Sequence, residues 1–123
     1  MSLKYTADHE WVRVEADGAL TVGITEYAQG QLGDIVFVQL PEVGRRIGKG
    51  DEAVVIESVK AAADIKMPVS GEVVAVNEAL NDAPETVNTD PMGAGWFLKV
   101  RPEQSSEVDG LLDQAAYERL IGK

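Results

Sequence analysis

Gly33-Asp34-Ile35-Val36-Phe37-Val38 decides the fold, because the chain repeats it 38 positions later as Gly71-Glu72-Val73-Val74-Ala75-Val76. Each copy opens on glycine and an acid, then runs into mainly β-branched residues, the composition that suits a pleated, half-buried strand. The first copy passes through Pro41, Gly44, Gly48 and Gly50 to a second strand, Ala53-Val54-Val55-Ile56. The later copy passes through Pro84 and a polar loop to Trp96-Phe97-Leu98-Lys99-Val100. Two similar halves predict a mainly β fold of two small antiparallel sheets with pseudo-twofold symmetry.

On the N-terminal side, Trp11-Val12-Arg13-Val14-Glu15 alternates loosely and Leu20-Thr21-Val22-Gly23-Ile24 resumes the pattern. Asp17-Gly18 between them predicts a hairpin, since glycine takes the left-handed backbone that a tight turn demands. Thr25 offers a side-chain oxygen to free amides and predicts one short helical turn over residues 25–31, which Gly30 and Gly33 interrupt. On the C-terminal side, Ser105 to Leu112 holds one short helix, and Asp113 caps a second over Gln114 to Ile121. Ala115, Tyr117, Leu120 and Ile121 make an apolar stripe on that second helix. The helical segment 105–121 is expected to pack on the sandwich, because helices this short need tertiary contacts to exist. Trp11 and Trp96 are expected in the core.

The chain has 123 residues, 45% of them hydrophobic, enough for one domain over 1–123 with a real core. It contains no apolar run of about 18 residues and no leader pattern, so it reads as a cytoplasmic protein, or as a mitochondrial-matrix one if a transit peptide preceded this numbering. Cysteine is absent and His9 is the single histidine. Disulfides, thiolate metal sites and a cysteine nucleophile are excluded together, and a three-histidine zinc site with them. Redox or group-transfer chemistry has to be imported. With 21 acidic and 11 basic side chains the formal net charge is −10, which repels nucleic acid and anionic membranes and favours partners with basic docking surfaces. The chain is expected to act as a monomer.

Between the two copies lies Val54-Val55-Ile56-Glu57-Ser58-Val59-Lys60-Ala61-Ala62-Ala63-Asp64-Ile65-Lys66-Met67-Pro68. It reads as a strand, a tight reversal near Val59 to Ala62, and a second strand that ends at Pro68. Lys60 stands at the tip, flanked by small alanines that leave its amine uncrowded. A rigid hairpin would fix the root of anything attached there while the lysine stem lets the far end search. Pattern alone does not distinguish this from an ordinary solvated turn lysine.

Glu57-Ser58-Val59-Lys60-Ala61 resembles the lipoylation motif of glycine cleavage H-proteins. The likeness continues in order through His9-Glu10-Trp11, Gly23-Ile24-Thr25, Leu32-Gly33-Asp34, Pro68-Val69-Ser70-Gly71-Glu72-Val73, Val76-Asn77, Val87-Asn88, Asp90-Pro91 and Gly95-Trp96. It covers nearly the whole chain. The resemblance implies a barrel-sandwich hybrid with lipoate in amide linkage to Lys60, and a non-catalytic carrier in which the cofactor supplies the chemistry and the protein supplies position. It implies as partners a glycine decarboxylase (P-protein), a tetrahydrofolate-dependent aminomethyltransferase (T-protein), dihydrolipoyl dehydrogenase (L-protein) and a lipoate-attaching enzyme. Glu57, three residues before the lysine, and Gly71, eleven after it, match features read during attachment. Each also has a plainer reading, as a solvated strand carboxylate and a turn glycine. Glu10 and Asp64 match residues of a cleft that would hold the cationic amine of the loaded arm through charge-assisted hydrogen bonds. His9 is expected to be a structural hydrogen-bonding residue and not a catalyst. Ala63, Lys66-Met67 and Met92 depart from the commoner pattern and bear on docking more than on attachment.

Four other readings compete. A biotinyl domain brackets its lysine with methionines, whereas Lys60 lies between Val59 and Ala61. A 2-oxoacid dehydrogenase lipoyl domain is fused through a Pro/Ala linker, which is missing here. A lipoyl or octanoyl relay role keeps the same fold. Asp82 and Glu85 form an acid pair of the kind that serves glycoside hydrolysis, in a loop without a sugar platform.

Overall fold

Leu20 to Ile24 is buried at every position, and so are Val54, Ile56, Val73, Leu98 and Val100, so the strands that carry them must be covered on their inner faces. The computed structural model describes residues 2–122 and meets this demand with nine strands and five short helices. The strands are β1 (Ser2–Tyr5), β2 (Glu10–Val14), β3 (Leu20–Ile24), β4 (Ile35–Gln39), β5 (Arg46–Ile47), β6 (Glu52–Ser58), β7 (Ala62–Lys66), β8 (Gly71–Val76) and β9 (Leu98–Pro102). One sheet runs β1-β2-β3-β9-β8-β5 and the other β4-β6-β7, with every pairing antiparallel. The apolar residues of both sheets meet in one cluster that includes Val12, Ile24, Val38, Ile56, Val73 and Phe97.

The two sequence copies fall one into each sheet, as β4 and β8. Their correspondence extends to a defect: pairing slips between Ile35 and Phe37 on β4, and again between Val73 and Ala75 on β8, 38 positions on. A bulge re-aims a strand and increases its twist, so the same irregularity at equivalent places marks equivalent bends in the two halves. The sheets are unequal because β1, β2 and β3 join the β8–β9 half through β3 and β9.

The helices are α1 (Glu26–Leu32), α2 (Ala79–Asp82), α3 (Thr86–Thr89), α4 (Ser105–Asp109) and α5 (Gln114–Leu120). Thr25 caps α1 by accepting a hydrogen bond from the Ala28 N–H, and Asp113 does the same for α5 from Ala116. The polar loop after β8 contains α2 and α3, whose single turns bury Leu80 and Val87. Both are too short to announce themselves by periodicity.

The C-terminal stripe is narrower than its spacing suggests. Tyr117 is buried and Ile121 half-buried, but Ala115 is exposed and Leu120 is 51% exposed. Tyr117 joins Tyr5 and Trp11 in a second cluster flanked by Met92, Trp96, Leu112 and Ile121. Trp11 is fully buried, and its indole N–H donates to the Pro91 carbonyl at 2.8 Å. Trp96 is only half-buried, with the Lys99 ammonium over its ring. Among the described residues no helix is long and apolar enough to cross a membrane.

Candidate functional site

The β6–β7 hairpin closes one residue earlier than its sequence suggests, with the Ser58 N–H donating to the Ala61 carbonyl at 2.8 Å. Ser58 stiffens this tip further. Its hydroxyl oxygen accepts from the N–H groups of Lys60 and Ala61 and donates to the Ala61 carbonyl. The Val59 N–H donates to the Asp34 carbonyl at 3.0 Å, which ties the tip to the segment leading into β4. Val59, Lys60 and Ala61 are exposed. The backbone of the tip is therefore fixed while the Lys60 side chain stands in water.

The Lys60 stem lies against Gly33. A Cβ at Gly33 would come within 3.3 Å of Lys60 Cε and 3.5 Å of Cδ, and Gly33 takes a φ of +78° that side-chain-bearing residues rarely adopt. This glycine both ends α1 and leaves room for the lysine. Asn88 on α3 holds the connection: its amide N–H groups donate to the Gly33 carbonyl and to Gln29 Oε1, and its carbonyl oxygen accepts from the Ile35 N–H at 2.8 Å. Gly33 and Asn88 carry no chemistry of their own, so residue type gives them no part in the site, although both lie inside matched motifs.

Beside Gly33 opens a cleft of about 330 Å³ between α1 and β7, lined by Asp8, His9, Ile24, Tyr27, Ala28, Gln31, Leu32, Ala63, Asp64 and Ile65. Leu32, which lines it, is the chain neighbour of the Gly33 against which the lysine stem lies. Its walls are mostly apolar, with carboxylates from Asp64 and Asp8. That composition and size suit a small organic group with a polar or cationic end. Asp8 is a cleft residue that the sequence did not single out, although it directly precedes the matched His9-Glu10-Trp11.

Glu10 does not share this cleft with Asp64. It is 2% exposed and faces a second cleft of about 270 Å³, bordered by Thr6, Asp8, Lys49, Lys66, Met67 and Leu111. Glu10 Oε1 accepts from the Thr6 hydroxyl at 3.2 Å and Oε2 from the Lys66 N–H at 3.3 Å. Burial raises its pKa to about 7, and nearby Asp8 pushes the same way, against the hydrogen bonds from Lys66 and Thr6. His9 precedes β2 and takes a φ of +70°, and the chain enters the strand at Glu10, whose side chain faces the second cleft. Asp8 borders both clefts.

The remaining expected residues are dispersed. Glu57 is exposed on β6, paired across the small sheet with Phe37 and Ala62. Gly71 is buried at the start of β8, paired with Ile47 and Pro102 in the other sheet. A Cβ there would lie 2.4 Å from the Arg101 carbonyl oxygen and 2.6 Å from Val100 Cγ2, so only glycine fits. His9 hydrogen-bonds to Tyr117, the structural role expected of it. Met67 is buried and Met92 half-buried in the aromatic cluster, so Met67 belongs to packing and not to an outer docking face. Ala63 borders the Asp64 cleft. Asp82 and Glu85 are exposed on the α2–α3 turn.

A β-sandwich that fixes a hairpin tip, leaves one lysine there in solvent, and places an apolar cleft beside its stem has the construction of a swinging-arm carrier domain. The family model described as Glycine cleavage H-protein matches residues 3–123. The Glycine cleavage system H protein of Halorhodospira halophila is 60% identical over 119 residues, covering 97% of this chain and 92% of that protein. That of Citrobacter koseri is 58% identical over 121 residues, covering 98% and 94%. The crystal structure of a glycine cleavage system H protein from Mycobacterium marinum superposes with a TM-score of 0.89 at 43% identity, covering 99% of this chain and 98% of that one. The chain belongs to the glycine cleavage H-protein family, and its fold is the barrel-sandwich type of that family. Its function is that of a carrier in the glycine cleavage system.

Proposed function

We propose that Lys60 carries lipoate in amide linkage and that the Asp64 cleft is where the arm rests between enzymes. The observation that carries this reading is the Lys60 stem lying against Gly33, whose chain neighbour Leu32 lines an apolar cleft that also holds Asp64 and Asp8. The residues fit the group: an exposed amine on a stiff turn for attachment, apolar walls for a hydrocarbon chain and a ring, and carboxylates for a cationic end. When bound, the lipoyl group supplies a reducible disulfide that takes up and releases an aminomethyl unit. Ile24, Ala28, Leu32, Ala63 and Ile65 exclude water from that unit, and Asp64 with Asp8 pairs with its ammonium.

The enzymes served are the glycine decarboxylase, the aminomethyltransferase and dihydrolipoyl dehydrogenase, met in the cytoplasm by a monomeric, single-domain carrier that catalyses nothing unaided. Exposed Glu57 is offered to the lipoate-attaching enzyme. Gly71 contributes to attachment by letting β8 and β9 close, and Glu10 supports the cleft from behind through its bond to the β7 residue Lys66.

Intact-mass measurement after expression with lipoate and a ligase tests the attachment. One lipoyl addition is expected on the wild type and none on Lys60→Ala; an unmodified wild type overturns the reading. The carrier step is tested separately, since lipoylated protein should restore glycine–bicarbonate exchange by the decarboxylase and the unmodified protein should not.

A further inference from the structure

Tyr117 lies outside the Asp64 cleft yet bonds to two residues that build it. The phenol oxygen is 2.9 Å from His9 Nδ1 and 2.7 Å from Thr25 Oγ1. His9 lines the cleft directly. Thr25 caps α1, and α1 supplies Tyr27, Ala28, Gln31 and Leu32 to the wall that faces β7. His9 and Thr25 also meet through their backbones, the Thr25 N–H donating to the His9 carbonyl at 3.0 Å. One hydroxyl thus joins the turn before β2 to the start of α1.

The geometry around this hydroxyl is constrained from every side. Tyr117 is 4% exposed, and its ring stacks on Tyr5 at 4.6 Å with an interplanar angle of 7°. The His9 ring meets Tyr117 edge-on at 5.6 Å and tilts against Tyr27 at 4.8 Å. His9 holds a φ of +70°, the one non-glycine residue in the left-handed region among those described. A side chain keeps such a backbone only where its surroundings over-determine it, and here they are the phenol, the tyrosine rings and the Thr25 N–H. The network is closed for either imidazole tautomer. Tyr117 can donate to His9 while Thr25 donates to Tyr117, or His9 can donate to Tyr117 while Tyr117 donates to Thr25.

We propose that Tyr117 is a positioning residue and that α5 is a clasp on the carrier cleft: its phenol, by bonding His9 and Thr25 together, holds the His9 side of the cleft and the start of α1 in the places from which they receive the arm. This rests on the reading of the Asp64 cleft as the resting place of the arm. The aromatic stack anchors α5, and the hydroxyl transmits that anchor to the cleft. Tyr117→Phe separates the two roles because it keeps the stack and deletes both bonds.

The test uses the fully lipoylated protein and three variants: Tyr117→Phe, His9→Asn and Ala63→Trp. Asparagine tolerates left-handed backbone, so His9→Asn cuts one of the two bonds by an independent route. Ala63→Trp fills the cleft and should evict the arm. Arm exposure is read as the rate at which a water-soluble phosphine reduces the lipoyl disulfide, with thermal melting as the check on fold. All three variants are expected to be reduced severalfold faster than wild type, with Tyr117→Phe still melting cooperatively. Because the chain has one histidine, its imidazole NMR signals report the same site without any enzyme. Lipoylation should shift them in the wild type and shift them less in Tyr117→Phe. If Ala63→Trp is fast while Tyr117→Phe and His9→Asn keep the wild-type rate, the clasp is wrong. If all three keep that rate, the arm does not rest in this cleft and the underlying reading falls with it.

Discussion

Glu10 and Gly71 show how differently two matched residues act once their surroundings are known. In the unfolded chain the Glu10 carboxyl titrates near 4.5, and burial raises it to about 7 in the folded protein. Below pH 4.5 both states hold the proton and the contribution of Glu10 to stability is fully present. As pH rises towards 7 the unfolded state releases it first, so stability is lost across that window and then levels off, the full effect being on the order of 3 kcal/mol. Besides Asp8, the Lys66 ammonium acts on this carboxylate and favours its charged form. Glu10→Gln is therefore expected to melt above the wild type at pH 8, with the gap closing towards pH 4.5 in a series of thermal melts. Gly71→Ala should cost about 2–3 kcal/mol in denaturant unfolding, because the obstacle to its Cβ is a backbone carbonyl that has nowhere to go. The folded fraction of that variant should accept lipoate at the wild-type rate. Slower attachment at full folding would show instead that the ligase reads this glycine.

Elements whose signals are local are legible in the amino-acid sequence alone. Asp17 and Gly18 form the predicted turn, with Gly18 at a φ of +87° and the Asp17 carboxylate accepting from the Ala19 N–H. Thr25 and Asp113 cap the predicted helices. Each depends on atoms within a few residues, so residue type at that spacing carries the information. α2 and α3 are not legible in this way, because one-turn helices owe their existence to burying Leu80 and Val87 and to the bonds that Asn88 makes. Asn88→Ala would leave the Ile35 N–H without its side-chain acceptor and the Gly33 carbonyl without its donor, and is expected to cost about 2–3 kcal/mol. Because the same connection supports the Lys60 tip through Asp34, amide exchange at Val59 should quicken in that variant more than at Val73 in the other sheet. Equal acceleration at both would assign Asn88 to global stability alone.

At the scale of the whole molecule, charge is the property that partners meet first. The formal net charge is −10, and lipoate in amide linkage to Lys60, as proposed, would take it to −11. Encounter with basic docking surfaces is then steered and screened by salt, with a Debye length near 10 Å at 0.1 M. In glycine–bicarbonate exchange the KM for the lipoylated protein is expected to rise severalfold between low salt and about 0.3 M while kcat holds; an unchanged KM would remove steering from the account. The sequence by itself determined the two β-rich halves, the caps and turns, and a lysine at a hairpin tip, since these follow from side-chain sterics and hydrogen bonds between near neighbours. Its family likeness points to Lys60, Asp64 and Glu10 alike, without showing that Glu10 faces another cleft. Only the tertiary structure decided that Gly33 lies beneath the Lys60 stem, that Glu10 is buried against Lys66, and that Tyr117 reaches back to His9 and Thr25. Those contacts join residues far apart in the chain, and they exist because two sheets and a terminal helix bury their apolar faces together. No pattern within one stretch of sequence specifies which distant residue that packing will bring into reach.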